Sequence, residues 1–198
     1  MSWARDGQSF TFGDNKRIQL FDFCMIYHRA IRQVEEKIDN LMLGWQPVVD
    51  LSVIQDDLTS RTPSWCFLAH QDNNMQFAYK ELSRRAWRSS FSGKPFSKAG
   101  HWLSEACSAY LQSSTEVASD IFAAFHITAG LPGRGTEIGS IRILNTQLAI
   151  RHVFIRDGRI LIVISYNKAR ASNHHAFYIV RYIPSGLDTS IFKYLVYI

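Results

Sequence analysis

The residues best suited to chemistry lie between Thr128 and Ile138, in the order Thr-Ala-Gly-Leu-Pro-Gly-Arg-Gly-Thr-Glu-Ile. A glycine-rich turn there delivers Arg134 to the start of an apolar-periodic run, and Glu137 follows three residues later. Backbone N–H groups at a helix start, joined by a guanidinium, make a cradle for phosphate. Glu137 is placed to brace that first turn. The same residues also read as a buried Arg–Glu pair holding a helix corner, a common structural device. Downstream, Tyr166-Asn167-Lys168-Ala169-Arg170 supplies two more cations, and Arg181-Tyr182-Ile183-Pro184 a third. Upstream, Arg84, Arg85 and Arg88 close an apolar-periodic segment, where they suit a helix C-terminus or phosphate contacts.

Other chemistries find no support in the spacing. Cys24, Cys66 and Cys107 stay far apart in sequence, there is no Cys-x-x-Cys, and His174 and His175 are adjacent, so no metal site is expected. The Gly130–Gly135 stretch lacks the Gly-Lys-Ser/Thr ending of a phosphate-binding loop, and Gly133-Arg134-Gly135 is a poor dinucleotide fingerprint. No Gly-x-Ser-x-Gly elbow occurs. No cofactor is expected. A hydrolase using Glu137 with a histidine such as His126 has no spacing behind it.

The Arg134 segment resembles the helix-start motif of the tyrosine recombinases, phage-integrase-type enzymes that break and rejoin DNA. Their motif reads Thr-Gly-Leu-Arg-x-Gly-Glu-Ile/Leu, and its arginine contacts the scissile phosphate. Arg134-Gly135-Thr136-Glu137-Ile138 is similar, with Pro132-Gly133 inserted before the arginine and Thr136 in place of glycine. Lys168 is the position matching the family's hairpin lysine, and Arg181–Pro184 resembles its Arg-x-x-Pro strand. A closer resemblance is to the recombinase-like region of fungal telomere-linked RecQ-helicase-like proteins and their mobile-element-derived relatives. It rests on Trp65–Leu68, Asn73 or Asn74, Gly133–Glu137, Asn145, Asp157-Gly158, Tyr166–Lys168 and Arg181–Pro184, across roughly residues 20–198.

The resemblance implies Arg134 and Lys168 as vestigial catalytic candidates. It implies DNA as partner and a nuclear location; the candidate DNA contacts are Arg134, Lys168, Arg170 and Arg181, with the basic cluster Arg84, Arg85 and Arg88 read either as added phosphate contacts or as a solvated helix end. It also implies a later His-x-x-Arg and a distal nucleophilic tyrosine. No His-x-x-Arg follows Lys168, and Tyr194 and Tyr197 come too soon after the hairpin. Phosphodiester transfer needs an attacking group as well as a charge clamp. The chain is therefore expected to bind DNA without cleaving it alone. The alternative is a helical protein-interaction module, or a relic, with no nucleic-acid role.

Charge sharpens the DNA reading. Residues 131–198 hold nine Lys/Arg against three Asp/Glu, a balance of +6; residues 1–130 hold 13 against 14, or −1. A one-sided excess of this kind suggests a polyanion partner. At 198 residues, 46% hydrophobic and 20% charged, the chain is globular rather than disordered or fibrous. No run approaches the ~18 apolar residues of a membrane span. Three scattered cysteines favour a reducing, intracellular compartment.

The elements that would position these residues are mainly helical, with a small antiparallel sheet, an α+β fold. Residues 1–16 read as a loose leader. Leu20, Cys24, Tyr27, Ile31, Val34, Ile38 and Leu41 form one stripe of a helix over 17–43, closed by Gly44. Pro47 opens a short helix. Asp72 or Asn73 caps a helix carrying Met75, Tyr79, Leu82 and Trp87. Residues 89–100 read as a hinge loop or internal boundary; the recombinase resemblance implies a helical, core-binding-like region over 17–112 and a partial recombinase-like domain over 113–198. Helices are expected over 101–111, from Ser113 or Ser114 to Ile127, and from about Arg134. Asp157-Gly158 between two β-branched runs signals a hairpin, followed by a strand at 177–183 and a final helix at 187–198. The terminal Tyr194-Leu195-Val196-Tyr197-Ile198 is expected to dock on a protein partner or on a missing C-terminal half.

Overall fold

One apolar stripe organises the helical part of the chain. The computed structural model describes residues 2–13, 16–75, 77–130, 135–166 and 177–198. Helix α1 (Leu20–Leu41) buries Ile31, Val34, Ile38 and Leu41, in alternating steps of three and four. The expected stripe loosens toward its start: Cys24 is exposed and Tyr27 only partly buried against the core, while Phe21, Phe23 and Ile26, off the stripe, are exposed. The helix starts at Leu20 because the preceding residues are strand. In place of the loose leader, β1 (Ser2–Trp3), β2 (Ser9–Phe12) and β3 (Lys16–Gln19) form an antiparallel sheet. The Trp3 and Phe10 rings pack across it at 5.2 Å, and Arg17 Nε donates to the buried Ser9 hydroxyl at 2.8 Å.

Beyond α1 the chain is irregular. The helix expected from Pro47 is a single 3₁₀ turn at Leu51–Val53, capped by Asp50, whose carboxylate accepts the Ser52 N–H at 2.9 Å. Asn73 does not cap a helix. Its amide accepts from the Gln55 N–H at 2.8 Å and donates to the carbonyls of Gln55 and Phe67, both at 2.7 Å, tying two loops together. Helix α2 (Tyr79–Ala86) begins six residues later and buries Leu82 and Ala86. The expected hinge at 89–100 contains two tight hairpins, β4 (Ser90–Phe91) with β5 (Lys94–Pro95) and β6 (Ser97–Lys98) with β7 (His101–Trp102). Phe91 and Phe96 are buried between them and Tyr110.

Helix α3 (Ser104–Thr128) is continuous where two helices were expected. Ser113 and Ser114, read as a cap, lie inside the helix, and the nearby Thr115 and Ser119 hydroxyls return to the carbonyls of Leu111 and Thr115 at 3.0 and 3.3 Å. Burial of Ala106, Val117, Ala124 and Phe125 along one side outweighs local cap preference. Against α1, Lys37 bonds Asp120 at 2.5 Å and the Tyr110 hydroxyl donates to the Leu41 carbonyl at 3.0 Å.

Helix α4 (Gly135–Ile138) is one turn, and Ile141 lies beyond it. The expected hairpin is present as β8 (Val153–Arg156) and β9 (Arg159–Tyr166), joined through Asp157 at φ 51° and Gly158 at φ 71°. Two positive φ angles define the primed turn that Asp-Gly favours. Strand β10 (Phe177–Tyr182) completes a sheet ordered β10-β9-β8. Ile183 N–H still bonds the Ile160 carbonyl at 2.9 Å before Pro184 stops the ladder. Helix α5 (Leu187–Tyr197) returns to pack on α1, α2 and α3. The apolar terminus packs in part on this chain: Val196 is buried, Tyr194, Leu195 and Ile198 are half-buried, and the Tyr197 ring meets Trp45 at 4.7 Å. Among the described residues, no helix is long and apolar enough to cross a membrane.

Candidate nucleic-acid interface

Strand alternation gives the β8–β10 sheet two unlike faces. Val153, Ile155, Ile160, Ile162 and Ile164 point into the core and are all buried. On the opposite face the register aligns Phe154, Leu161 and Tyr182 in one row, with Val163 and Val180 in the next. Phe154 and Leu161 are buried, whereas Tyr178, Val180 and Tyr182 are 68%, 52% and 49% exposed. The open half of this face therefore lies on β10.

The free edge of β8 is closed by polar side chains and one carbonyl. Asp56, just after the 3₁₀ turn, accepts the Ile155 N–H at 3.0 Å through one carboxylate oxygen. The other oxygen accepts from Arg151 at 2.5 Å, and both side chains are fully buried. Arg151 also donates to the carbonyls of Val153 and Asp57, at 3.2 and 3.0 Å, and lies 4.6 Å from the centre of the Phe154 ring. Its Nη1 has no hydrogen-bond partner among the described residues. Burial pushes the Asp56 carboxyl above its ordinary range, against the Ile155 N–H and the guanidinium, which pull it down. Burial likewise pushes the neighbouring Cys66 thiol up, which keeps it protonated and unreactive.

Asn145 holds the approach to this edge. Its side chain accepts the Arg151 N–H at 2.9 Å and donates to the carbonyls of Ser60 and Thr62, while its backbone pairs with Ser64 and Trp65. His152 follows. The Arg142 carbonyl accepts its N–H at 2.8 Å, and its Nδ1 accepts the Arg142 N–H at 3.0 Å. An accepting Nδ1 places the ring proton on Nε2. Burial, and secondarily the Arg142 charge, hold this imidazole below its usual range, so it is neutral at pH 7. Between this edge and the open face lies a cavity of about 590 Å³, lined among others by Arg142, Arg151, His152, Phe154, Val163 and Tyr178. No carboxylate lines it among the described residues. The exposed Arg142 guanidinium, a neutral imidazole and flat apolar walls suit a ligand that is anionic at one end and aromatic at the other.

The residues singled out from sequence fare differently. Arg134, Lys168 and Arg170 lie outside the described residues, and the side chain of Glu137 does too. Arg181, expected as a DNA contact, is on the core face of the sheet and 8% exposed, with no hydrogen-bond partner for its Nη1 among the described residues. Arg84 and Arg85 both bond Glu81, at 2.9 and 2.8 Å, and Arg85 also lies 5.3 Å from the Trp45 ring, so both are committed within the helical part. Arg88 is exposed. Asp56, Arg142, Arg151, His152 and Tyr178 were not picked out. The legible signal was Arg151, a charge inside an apolar run, and Asn145, which the resemblance already included. Among the described residues no three His, Cys, Asp or Glu side chains converge as metal ligands. No protein-family model, curated protein or solved structure matches this chain.

Proposed function

We propose that this chain is a DNA-binding, tyrosine-recombinase-like unit of nuclear location that does not cut DNA alone. The observation that carries the reading is the cavity lined by the exposed Arg142, with no carboxylate in its lining among the described residues, set in the third of the chain with a balance of +6. Guanidiniums bind phosphate through paired, planar hydrogen bonds, and a one-sided charge excess steers a polyanion to that surface. The motif resemblance around Arg134 and Lys168 supports the same partner.

The test is fluorescence anisotropy of a labelled duplex oligonucleotide across a salt series. Affinity should fall steeply between about 50 and 200 mM salt, with a log–log slope that counts the phosphates neutralised. Binding indifferent to salt, or none at low salt, sinks the proposal. A supercoiled plasmid incubated with the protein should acquire no nicks and no covalent protein–DNA adduct; an Arg134-dependent adduct would overturn the non-cleaving half of the reading.

A second reading, a protein-interaction module, is favoured by one observation. Phe21, Phe23 and Ile26 stand 73%, 55% and 50% exposed on the first turns of α1. Size-exclusion chromatography showing a stable homodimer indifferent to polyanions would support it over DNA binding.

A further inference from the structure

The open half of the β8–β10 sheet carries features that a duplex-binding surface does not need. We propose that it holds unpaired nucleotides of a DNA strand, with a base stacked on Tyr178 and its phosphate on Arg142. The inference rests on the DNA-binding reading and narrows it to single strands.

Three observations lead there. First, Tyr178, Val180 and Tyr182 occupy successive outward positions of β10, all about half exposed or more. Alternate strand residues stand about 7 Å apart, so the two tyrosines are spaced by about 14 Å along the strand. An exposed edge strand is ordinarily protected by charge or proline, and here it presents aromatic rings. Bases inside a duplex are already stacked and offer such rings nothing, whereas an unpaired base gains a stacking partner. Second, cations sit at both ends of the row. Arg142 and Tyr178 both line the cavity, Arg142 with no ion pair among the described residues, and the Arg159 guanidinium, which also donates to the Ile183 carbonyl at 2.7 Å and lies 3.8 Å from Asp188, is 5.8 Å from the Tyr182 ring. Third, a cavity of about 590 Å³, within the usual size of a ligand pocket, is lined by both Tyr178 and Arg142, and no carboxylate lines it among the described residues.

The experiment compares a labelled oligo(dT) single strand with a duplex of equal length on the full chain, for wild type, Tyr178→Ala, Tyr178→Phe and Arg142→Ala. The single strand should bind more tightly than the duplex. Tyr178→Ala should weaken the single strand about tenfold and leave the duplex unchanged, and Tyr178→Phe should retain affinity because the ring does the stacking. Arg142→Ala should lower the salt slope for the single strand by about one. Tyr178 and Arg142 lie outside the core, and matching circular dichroism and melting curves would confirm that the variants fold. Equal affinity for both DNA forms, or a Tyr178→Ala variant that binds the single strand normally, overturns the inference while the DNA-binding reading stands. Failure to bind either form at low salt overturns both.

Discussion

The two faces of the β8–β10 sheet come from the same three strands and have opposite fates. The core face is a continuous layer of Val153, Ile155, Ile160, Ile162 and Ile164, all less than 9% exposed. The other face is buried at Phe154 and Leu161 and open at Tyr178, Val180 and Tyr182. Along β9 both faces are apolar, so hydrophobicity does not distinguish them. The distinction comes from neighbours. The core face meets the helical part, while the far edge of β8 is closed by Asp56 and the Arg142 carbonyl, and nothing described closes β10 in the same way. Stability is concentrated on one side of the sheet, and the surface free for a ligand on the other.

The largest expected effect is at the buried pair on the β8 edge. Arg151→Met leaves Asp56 buried without its cation and should destabilise the fold by about 3–5 kcal/mol in urea unfolding. Adding Asp56→Leu should recover part of that loss, because two apolar side chains no longer carry an unpaired charge. If the single variant melts like wild type, the pair does not hold this edge. Next comes the core face, where Ile162→Ala should cost about 2–5 kcal/mol through lost burial and a cavity. Tyr182→Ala, whose residue is cross-strand from Leu161, should cost within about 0.5 kcal/mol. Equal losses at Ile162 and Tyr182 would erase the contrast between the faces.

Smaller effects test the turn and the edge. Gly158 sits at φ 71°, and a Cβ there would lie 3.4 Å from Ser52 Cα. Gly158→Ala should cost about 1 kcal/mol, chiefly from the left-handed backbone, read as a lowered melting temperature. The smallest effect is the His152 proton. Its folded pKa is depressed, so the unfolded chain binds the proton more readily. Stability contributed by the neutral ring is present above the ordinary value of 6.5 and is lost as pH falls from there toward the depressed folded value. The melting temperature should therefore drop on acidification below pH 6.5, and His152→Gln should flatten that part of the curve. An unchanged slope in the variant would show that another group titrates there.

Much of the fold was legible because local rules agreed with tertiary packing. Asp157-Gly158 marked its turn since only a primed turn joins two twisted strands through two residues, and both φ angles are positive as required. Ile31, Val34, Ile38 and Leu41 marked the core stripe of α1 since they recur at helical spacing. The misreadings arose where local chemistry had alternatives. Ser113 and Ser114 offered a cap that Val117 and Phe125 overrode by burial within one helix. Trp3 and Phe10 made a small sheet out of a polar leader.

The site was less legible. Asp56 and Arg151 are 95 residues apart in the chain, and no short-range pattern links an aspartate in a loop to an arginine before a strand. Glycines, periodicity and charge balance act through neighbouring residues, so the sequence by itself determined the α+β class, the hairpin turn, the main helix stripe and the basic C-terminal third. Which half of α1 is core, where Arg181 points, and that Arg142, Arg151 and His152 meet Tyr178 around one cavity depend on contacts between distant segments. Only the tertiary structure decides those, because burial and desolvation belong to the whole packed chain and not to any stretch of it.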